Sequence, residues 1–209
     1  MQLPKKTVIA HRGVHQYGAP ENSILAFQQA IDIEADGLEI DVQLSNNQLV
    51  LKHDINEEST AELPTFGDFL TLIQQTKYQG FLLIELKGAE GAQQLYQELV
   101  AYQLPNPIML QSFWEQPLRE WRSLDKKMLI GYLRHYPNHK CWQLAKEHVI
   151  QQVNLDYRYL PLRFLAPWWL PTYWWTINRP TVTWVLMHLP VAAIITDNVK
   201  QAVKYKKGN

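Results

Sequence analysis

Short apolar, β-rich runs alternate with helical patterns along the whole sequence. Such alternation is typical of α/β proteins built on a parallel sheet. No Gly/Ser linker or low-complexity tract interrupts it. Since 209 residues can bury a full core, we expect a single domain over residues 1–209.

Eight of the runs are predicted to form parallel strands, at 7–11, 37–44, 81–86, 108–113, 128–133, 149–155, 174–178 and 192–197. A ninth extended run, 48–54, follows the second strand after only a short turn, whereas a parallel neighbour needs a crossover of about a dozen residues or more. We therefore expect it to fold back as an antiparallel hairpin partner. Eight parallel strands predict a closed (β/α)8 TIM barrel with a short insertion after the second strand; a doubly wound open sheet is the alternative.

Apolar residues recur at helical spacing between these strands. The patterns cover 23–32, 66–75, 91–102, 116–124, 139–148 and 180–189, and a last one follows the eighth strand at 198–206. In such a barrel, functional side chains collect at the carboxyl ends of the strands and in the loops that follow them. The polar residues at those ends are therefore the candidates for a site.

Three carboxylates are expected to face the interior from neighbouring parallel strands. Glu39 and Asp41 are two residues apart in the second strand, so their side chains share one face. Glu85 stands in the otherwise apolar run FLLIEL of the next parallel strand. Buried carboxylates are costly unless a cation compensates them, and oxygen ligands suit Mg²⁺ or Ca²⁺. The pattern predicts a divalent metal site; the alternative is that the acids face water near a strand end.

Two histidines and two cationic residues follow strands at the same rim. His11 ends the first strand and His53 ends the hairpin partner, and an imidazole titrates near neutral pH, which suits acid–base catalysis. Arg12 offers a planar fork for a phosphate, and Lys87 a point charge beside Glu85. The alternatives are structural histidines and solvent-exposed loop cations.

The order of these motifs resembles the glycerophosphodiester phosphodiesterase family. The matching segments lie between Ile9 and Asp197 and are AHRG, ENS, DGLEIDV, KHD, IELK, QSF, WTIN and IITD. The resemblance implies a barrel that hydrolyses glycerophosphodiesters to glycerol 3-phosphate and an alcohol, with a glycerol hydroxyl as the first nucleophile. It also implies a set of roles: a metal held by Glu39, Asp41 and Glu85, His11 and His53 as the acid–base pair, and Arg12 on the phosphate.

Other positions that match the family are expected to bind substrate or to support the site: Lys87, Trp175, Glu21, Asn22, Asp54 and Asn178. Trp175 and Asn178 lie in a segment that, by this resemblance, walls the pocket around the glycerol moiety. Asn22 can instead cap the following helix. Asp54 can serve in a turn rather than orient the adjacent histidine.

Two features leave the substrate open. Only the segment 55–64 separates the HD pair from the next helix, where the family usually has a larger segment that roofs the site. Trp168 and Trp169 lie in a Pro-flanked loop expected near the active rim, where they either fill the core or contact an acyl chain or a membrane surface. The alternatives are therefore a lysophospholipase D-type activity and a non-catalytic barrel that binds glycerophosphate.

Composition argues against several other partners. Lys and Arg total 20 and so do Asp and Glu, so there is no basic excess for nucleic acid. No apolar run reaches the roughly 20 residues that span a bilayer, and no signal peptide is evident. The single Cys141 fits a reducing compartment, so we expect a cytoplasmic protein; its oligomeric state stays open.

Overall fold

Nine strands form one sheet in the computed structural model, which describes residues 6–16, 18–54, 63–189 and 193–208. They are β1 (Thr7–His11), β2 (Gly37–Ser45), β3 (Gln48–Leu51), β4 (Phe81–Leu86), β5 (Ile108–Ser112), β6 (Leu129–Arg134), β7 (Gln152–Asp156), β8 (Thr172–Trp175) and β9 (Ala193–Thr196). The order is β1-β9-β8-β7-β6-β5-β4-β2, and β1 also pairs with β2. These eight strands all pair in parallel. The sheet is therefore the predicted closed (β/α)8 barrel, and the open doubly wound sheet is excluded.

β3 is the predicted antiparallel hairpin partner of β2. It pairs with Val42–Ser45 at the carboxyl end of β2, while β1 pairs with Gly37–Glu39 at the amino end of the same edge. Because β3 runs antiparallel, it returns the chain toward the end of β1, which brings His53 to the part of the rim where His11 lies. The residues that follow, 55–62, lie outside the described part of the chain, so the short connection to the next helix stays a prediction.

Seven α-helices lie in the described ranges: α1 (Ile24–Asp32), α2 (Phe66–Thr76), α3 (Ala92–Tyr102), α4 (Glu115–Leu124), α5 (His139–Lys146), α6 (Pro180–His188) and α7 (Val199–Lys206). Ser23 caps α1, Thr65 caps α2 within a capping box, and Asn138 caps α5. None of these helices is both long and apolar enough to cross a bilayer.

Strand side chains alternate between the barrel interior and the layer of helices. On β2, Leu38 and Ile40 belong to the large core between sheet and helices, so Glu39 and Asp41 point into the interior. The interior also contains a smaller apolar cluster of Ile9, Phe81, Leu83, Met109, Tyr173, Ala193 and Ile195. Inward positions become polar toward the carboxyl ends of the strands, and this is where a site is expected.

Three strands and one connection differ from the prediction. β3 ends at Leu51 rather than at 54, β7 begins at Gln152 rather than at 149, and β8 covers Thr172–Trp175 rather than 174–178. Between β7 and β8, Tyr157–Leu165 forms a 3₁₀ segment where no element was predicted. Pro161 lies inside this segment, and a proline cannot donate the main-chain hydrogen bond that a regular α-helix needs.

Candidate active site

The turn after β1 folds tightly against α1 and presents Arg12 to the barrel mouth. Arg12 and Gly13 have φ angles of 56° and 79°. A Cβ on Gly13 would stand 2.6 Å from the carbonyl carbon of Ala26, so this position requires glycine both for its left-handed backbone and for its missing side chain. From this turn, Arg12 Nε reaches to 2.8 Å from Asp41 Oδ2.

The three predicted carboxylates converge at the carboxyl ends of β2 and β4. Asp41 pairs in register with Glu85 on the neighbouring strand, and Glu39 lies two residues before Asp41. Ligand oxygens of the three lie within 4.8 Å of one another, and all three side chains are buried. Burial, Asp41 and Glu85 raise the pKa of Glu39 well above its usual range. Burial and Asp41 likewise raise the pKa of Glu85 to about 7.

Lys87 and Arg12 compensate part of this negative charge. Lys87 Nζ lies 2.8 Å from Glu85 Oε1 and 3.7 Å from Asp41 Oδ1. Burial disfavours the charged forms of Lys87 and Arg12, but the nearby carboxylates outweigh it and raise the pKa of both. The Asn22 amide donates to Asp41 Oδ2 at 2.9 Å and accepts from Asp41 N at 3.1 Å. Asn22 therefore positions Asp41 rather than capping α1.

The carboxylate cluster fits a hard divalent cation. Asp41 Oδ1 is buried and accepts no hydrogen bond from the described residues, although a buried carboxylate oxygen without a partner is costly. The three acids also outnumber the two basic side chains that contact them. An all-oxygen donor set suits Mg²⁺ or Ca²⁺ better than a softer metal. Glu39, Asp41 and Glu85 can therefore hold one such ion.

His11 is held by a carboxylate that follows the last strand. Its Nδ1 lies 2.7 Å from Asp197 Oδ1, and His15 Nε2 lies 3.2 Å from the same oxygen, while Asn178 donates to the other one. Burial alone would raise the pKa of Asp197, but these hydrogen bonds lower it to about 2. An ionised Asp197 fixes Nδ1 as the donor of His11 and leaves Nε2 as the nitrogen that can exchange a proton.

His53 approaches the same rim from the hairpin. Its Nδ1 lies 2.7 Å from Asp54 Oδ2, and this hydrogen bond lowers the pKa of Asp54. Gln43 Nε2 donates to the carbonyl oxygens of Lys52 and His53 at 2.9 and 2.5 Å, which fastens the end of the hairpin to β2. His53 thus has the same arrangement as His11, with a more exposed carboxylate as its partner.

A cavity of about 340 Å³ opens at the barrel mouth beside this cluster. Its charged and polar lining residues are His11, Arg12, Glu39, His53, Glu85, Lys87, Gln111, His135 and Thr176. Much of the remaining lining is aromatic or apolar, and the rings of Phe113, His135 and Trp175 pack together with centroids 5.2 to 5.8 Å apart. The cavity has the size of a small-molecule site, with a strongly charged part and an apolar part.

The sequence matches the model of the glycerophosphoryl diester phosphodiesterase family over residues 11–129, more than half of the chain. The chain belongs to this family. A glycerophosphodiester phosphodiesterase from Caldanaerobacter subterraneus subsp. tengcongensis is 31% identical over 147 residues. That match covers 63% of this chain and 60% of the relative, so the chain spans less than two thirds of the relative's length.

Solved structures of phosphodiesterases have the same barrel fold as this chain over nearly its whole length. A glycerophosphodiester phosphodiesterase from Parabacteroides distasonis has a TM-score of 0.80 at 23% identity, with 97% of this chain and 98% of that chain covered. A phosphodiesterase from Oleispira antarctica, solved with the product sn-glycerol-3-phosphate, has a TM-score of 0.81 at 21% identity, with 98% and 97% covered. At these identities the likeness shows the fold, and it confirms the predicted barrel.

Seven of the twelve predicted site residues line the cavity, whereas Asp41, Glu21, Asn22, Asp54 and Asn178 do not. Trp175 lines the cavity, as expected. Glu21 accepts a hydrogen bond from Arg12 Nη1 at 3.0 Å. Asn178 was predicted in the pocket wall, yet it lies outside the lining and holds Asp197. Glu21 and Asn178 therefore support other side chains rather than face the cavity.

Sequence reasoning gave no role to Asp197, His15 or Gln111. Asp197 and His11 are 186 residues apart, so no local spacing joins them. The end of the last strand was nevertheless readable as a rim position, and this signal could have found Asp197. Gln111 accepts from the buried Asn154 at 2.6 Å, which places an ordered polar side chain in the cavity lining. His15 carries no such positional signal.

Trp168 and Trp169 do not lie at the active rim. They precede β8 in the sequence. The backbone N–H of Val153, near the amino end of β7, donates to the carbonyl oxygen of Pro171, just before β8, at 3.3 Å. This loop therefore lies at the amino ends of the strands, whereas the cavity opens at their carboxyl ends. Trp169 packs there against Trp142 and Trp168, with ring centroids 5.2 and 5.8 Å away. The expected position near the rim is wrong, because the chain has already crossed the barrel before it enters β8.

Proposed function

We propose that this protein hydrolyses glycerophosphodiesters to glycerol 3-phosphate and an alcohol, using a divalent cation and two histidines. One observation carries the proposal: a cluster of three carboxylates, two cationic side chains and two carboxylate-paired imidazoles lies together at a cavity of about 340 Å³, which all of them except Asp41 line. Each group alone has other uses in proteins. Together they offer cation binding, anion binding and proton transfer at one place, which are the requirements of metal-assisted phosphodiester hydrolysis.

Arg12 and Lys87 are proposed to bind the phosphodiester anion. Arg12 is held by Glu21 at 3.0 Å and Asp41 at 2.8 Å, and Lys87 is held by Glu85 at 2.8 Å. The planar guanidinium suits two phosphate oxygens, while the ammonium acts as a point charge. Because both are fixed before substrate arrives, they can stabilise the charge that develops on the phosphoryl oxygens without reorganising.

Glu39, Asp41 and Glu85 are proposed to hold the cation, either Mg²⁺ or Ca²⁺. A bound cation polarises the phosphoryl group and offsets the negative charge of the transition state. Glu39 and Glu85, whose pKa values are raised by burial and by neighbouring carboxylates, must ionise to act as ligands, so cation binding releases protons. Asn22 keeps Asp41 in position for this role through its two hydrogen bonds.

His11 and His53 are proposed to exchange protons with the substrate. Each ring has its Nδ1 2.7 Å from a carboxylate oxygen, which leaves Nε2 for the transfer. One imidazole takes the proton of the attacking glycerol hydroxyl, and the other protonates the oxygen of the leaving alcohol. The cyclic phosphate formed in this step is opened by water in a second step, in which the two histidines exchange roles.

The two alternative functions have less support. Lysophospholipase D-type activity relied on Trp168 and Trp169 at the mouth, and these side chains lie at the other end of the barrel. Residues 55–62 lie outside the described part of the chain, so they add no support for a lysophospholipase D-type activity. A non-catalytic binding barrel gives no reason for two histidines each paired to a carboxylate beside a carboxylate cluster. We therefore propose neither alternative.

A substrate panel tests the proposal. The purified protein is assayed with glycerophosphocholine, glycerophosphoethanolamine and lysophosphatidylcholine, each with Mg²⁺, Ca²⁺ or a chelator. We expect hydrolysis of the deacylated diesters with at least one cation, and a loss of about a hundredfold or more in His11→Ala and His53→Ala. The matched control is His139→Ala at an exposed position of α5, which should keep the wild-type rate. Wild-type turnover by His53→Ala, or no turnover of any diester by the wild type, would overturn the proposal.

A further inference from the structure

The outer layer of the barrel between β7 and β9 carries exposed apolar side chains on the 3₁₀ segment, on the loop after it and on α6. We call it the aromatic face and define it by its exposed side chains: Leu160, Phe164, Leu165, Trp168, Trp184 and Val185. Phe164 and Trp168 are 72% and 79% exposed. Single exposed apolar residues are ordinary, but a group of this kind marks a surface that contacts something other than water.

The aromatic face exists because the outer layer of the barrel is thin at this position. The other connections between successive parallel strands contain an α-helix, whereas β7 and β8 are joined through the 3₁₀ segment, none of whose side chains is buried. Trp142 of α5 fixes one flank, since its indole donates to Leu165 O at 2.7 Å and its ring packs on Trp169. The segment is thus tied to the barrel while Phe164 and Trp168 project outward.

Positive charge accompanies the aromatic face. Residues 157–196 contain three arginines and no aspartate or glutamate, although the chain as a whole is neutral. Arg158 and Arg163 are engaged by a neighbouring carboxylate and by backbone carbonyls. Arg179 is exposed just before α6, and α7, which packs against α6, adds the exposed Lys204. The outer layer between β7 and β9 therefore combines large exposed aromatic side chains with an exposed arginine, and its sequence contains no carboxylate.

We propose that the aromatic face docks on an anionic lipid bilayer. Tryptophan, phenylalanine and leucine side chains enter the boundary between headgroups and acyl chains, while arginine and lysine attract anionic headgroups. A second copy of the chain would cover the apolar part, but it gives no reason for the cations. The inference does not depend on the proposed catalytic activity.

Vesicle flotation of the full chain tests this docking. Vesicles of phosphatidylcholine are compared with vesicles in which part of it is replaced by phosphatidylglycerol. We expect flotation with the anionic vesicles that weakens as salt is added, and a loss of partitioning of about tenfold or more in Phe164→Ser/Trp168→Ser. The matched control is Leu25→Ser/Val100→Ser, which removes side chains that are 55% and 50% exposed on α1 and α3 and should leave flotation unchanged.

The charge contribution has its own variant. Arg179→Gln/Lys204→Gln should reduce binding to anionic vesicles and leave any binding to neutral vesicles unaltered, with circular dichroism to show that every variant is folded. The proposal is overturned if the wild type does not float with anionic vesicles, or if both apolar double variants lose binding equally. It is also overturned if the chain forms a dimer that Phe164→Ser/Trp168→Ser abolishes, because a second copy then covers the face.

Discussion

His11 and Asp197 are separated by 186 residues, yet His11 Nδ1 and Asp197 Oδ1 lie 2.7 Å apart at the barrel rim. They meet because β1 pairs with β9 on one side and with β2 on the other, which closes the sheet. Asn178 and His15 contact the same carboxylate. Barrel closure thereby sets the orientation of a candidate catalytic imidazole.

Asp197→Asn should lower kcat by about a hundredfold or more and change KM little. The amide has nearly the shape of the carboxylate, but it cannot hold Nδ1 of His11 as the donor and stabilise the protonated ring. Steady-state kinetics on glycerophosphocholine measure the effect. Asp32→Asn, at an exposed position of α1, is the control. A kcat equal to that of the wild type would rule out the positioning role of Asp197.

Asp197 should also make stability depend on pH in the acid range. Hydrogen bonds outweigh burial and lower its pKa from 3.8 to about 2. A lowered carboxylate pKa stabilises the folded state above the unfolded pKa, and the contribution, about 2 kcal/mol, is lost as the pH falls toward the folded pKa. In urea denaturation, the stability gap between wild type and Asp197→Asn should narrow by about half between about pH 5 and pH 3. A gap that stays constant would contradict this linkage.

Glu39→Gln should stabilise the cation-free protein at alkaline pH. Burial, Asp41 and Glu85 raise the pKa of Glu39, so its protonated form favours folding, and that advantage is lost as the pH rises through the raised pKa. In the wild type, the backbone N–H of Arg12 donates to Glu39 Oε2 at 3.2 Å. Glutamine removes the negative charge but keeps a side-chain oxygen that can accept this hydrogen bond. With chelator at about pH 8 we expect a gain of about 1 kcal/mol, or roughly 2–4 °C in Tm.

The same variant separates cation binding from folding. Added Mg²⁺ or Ca²⁺ should raise the Tm of the wild type by mass action and leave the Tm of Glu39→Gln nearly unchanged. The stabilising effect of the substitution in chelator should also shrink as the pH is lowered. A variant that is less stable than the wild type in chelator, or one that responds equally to cations, would count against the cluster as a cation site.

Gly13→Ala should destabilise the protein by about 2 kcal/mol or more, because it combines a left-handed φ of 79° with a Cβ only 2.6 Å from the Ala26 carbonyl carbon. Gly18→Ala is the matched control. Gly18 has a φ of 89° with nothing within 4 Å, so its replacement measures the backbone cost alone, about 1 kcal/mol. Urea denaturation compares the two. Equal losses would show that the contact with Ala26 does not constrain the turn.

Much of the fold and part of the site could be predicted because local patterns report them. Glu39 and Asp41 share a face through the two-residue period of a strand, and the short turn before β3 permits only a hairpin. The interior direction of both acids follows from the apolar residues that alternate with them. Their convergence with Glu85 follows in turn from the parallel pairing of β2 and β4.

The errors arose where long-range geometry decides. The apolar run of β8 continues past Trp175 to Ile177, and side-chain pattern alone does not mark where the strand stops. The 3₁₀ segment has no regular apolar period and contains Pro161, so no element was predicted there. This segment takes the chain from the carboxyl end of β7 to the amino end of β8. Because it was not predicted, Trp168 was expected at the carboxyl ends of the strands instead of at their amino ends. The His11–Asp197 contact required closure of the sheet, which no local pattern encodes.

The release of sn-glycerol 3-phosphate from glycerophosphocholine, followed by phosphorus NMR with Mg²⁺, with Ca²⁺ and with chelator, tests the proposed activity most directly. We predict that the glycerophosphocholine signal is replaced by that of glycerol 3-phosphate with at least one cation. We predict almost no product with chelator or in Glu39→Gln. Equal product in the presence of chelator, or no product with either cation, would contradict a cation-assisted phosphodiesterase at this site.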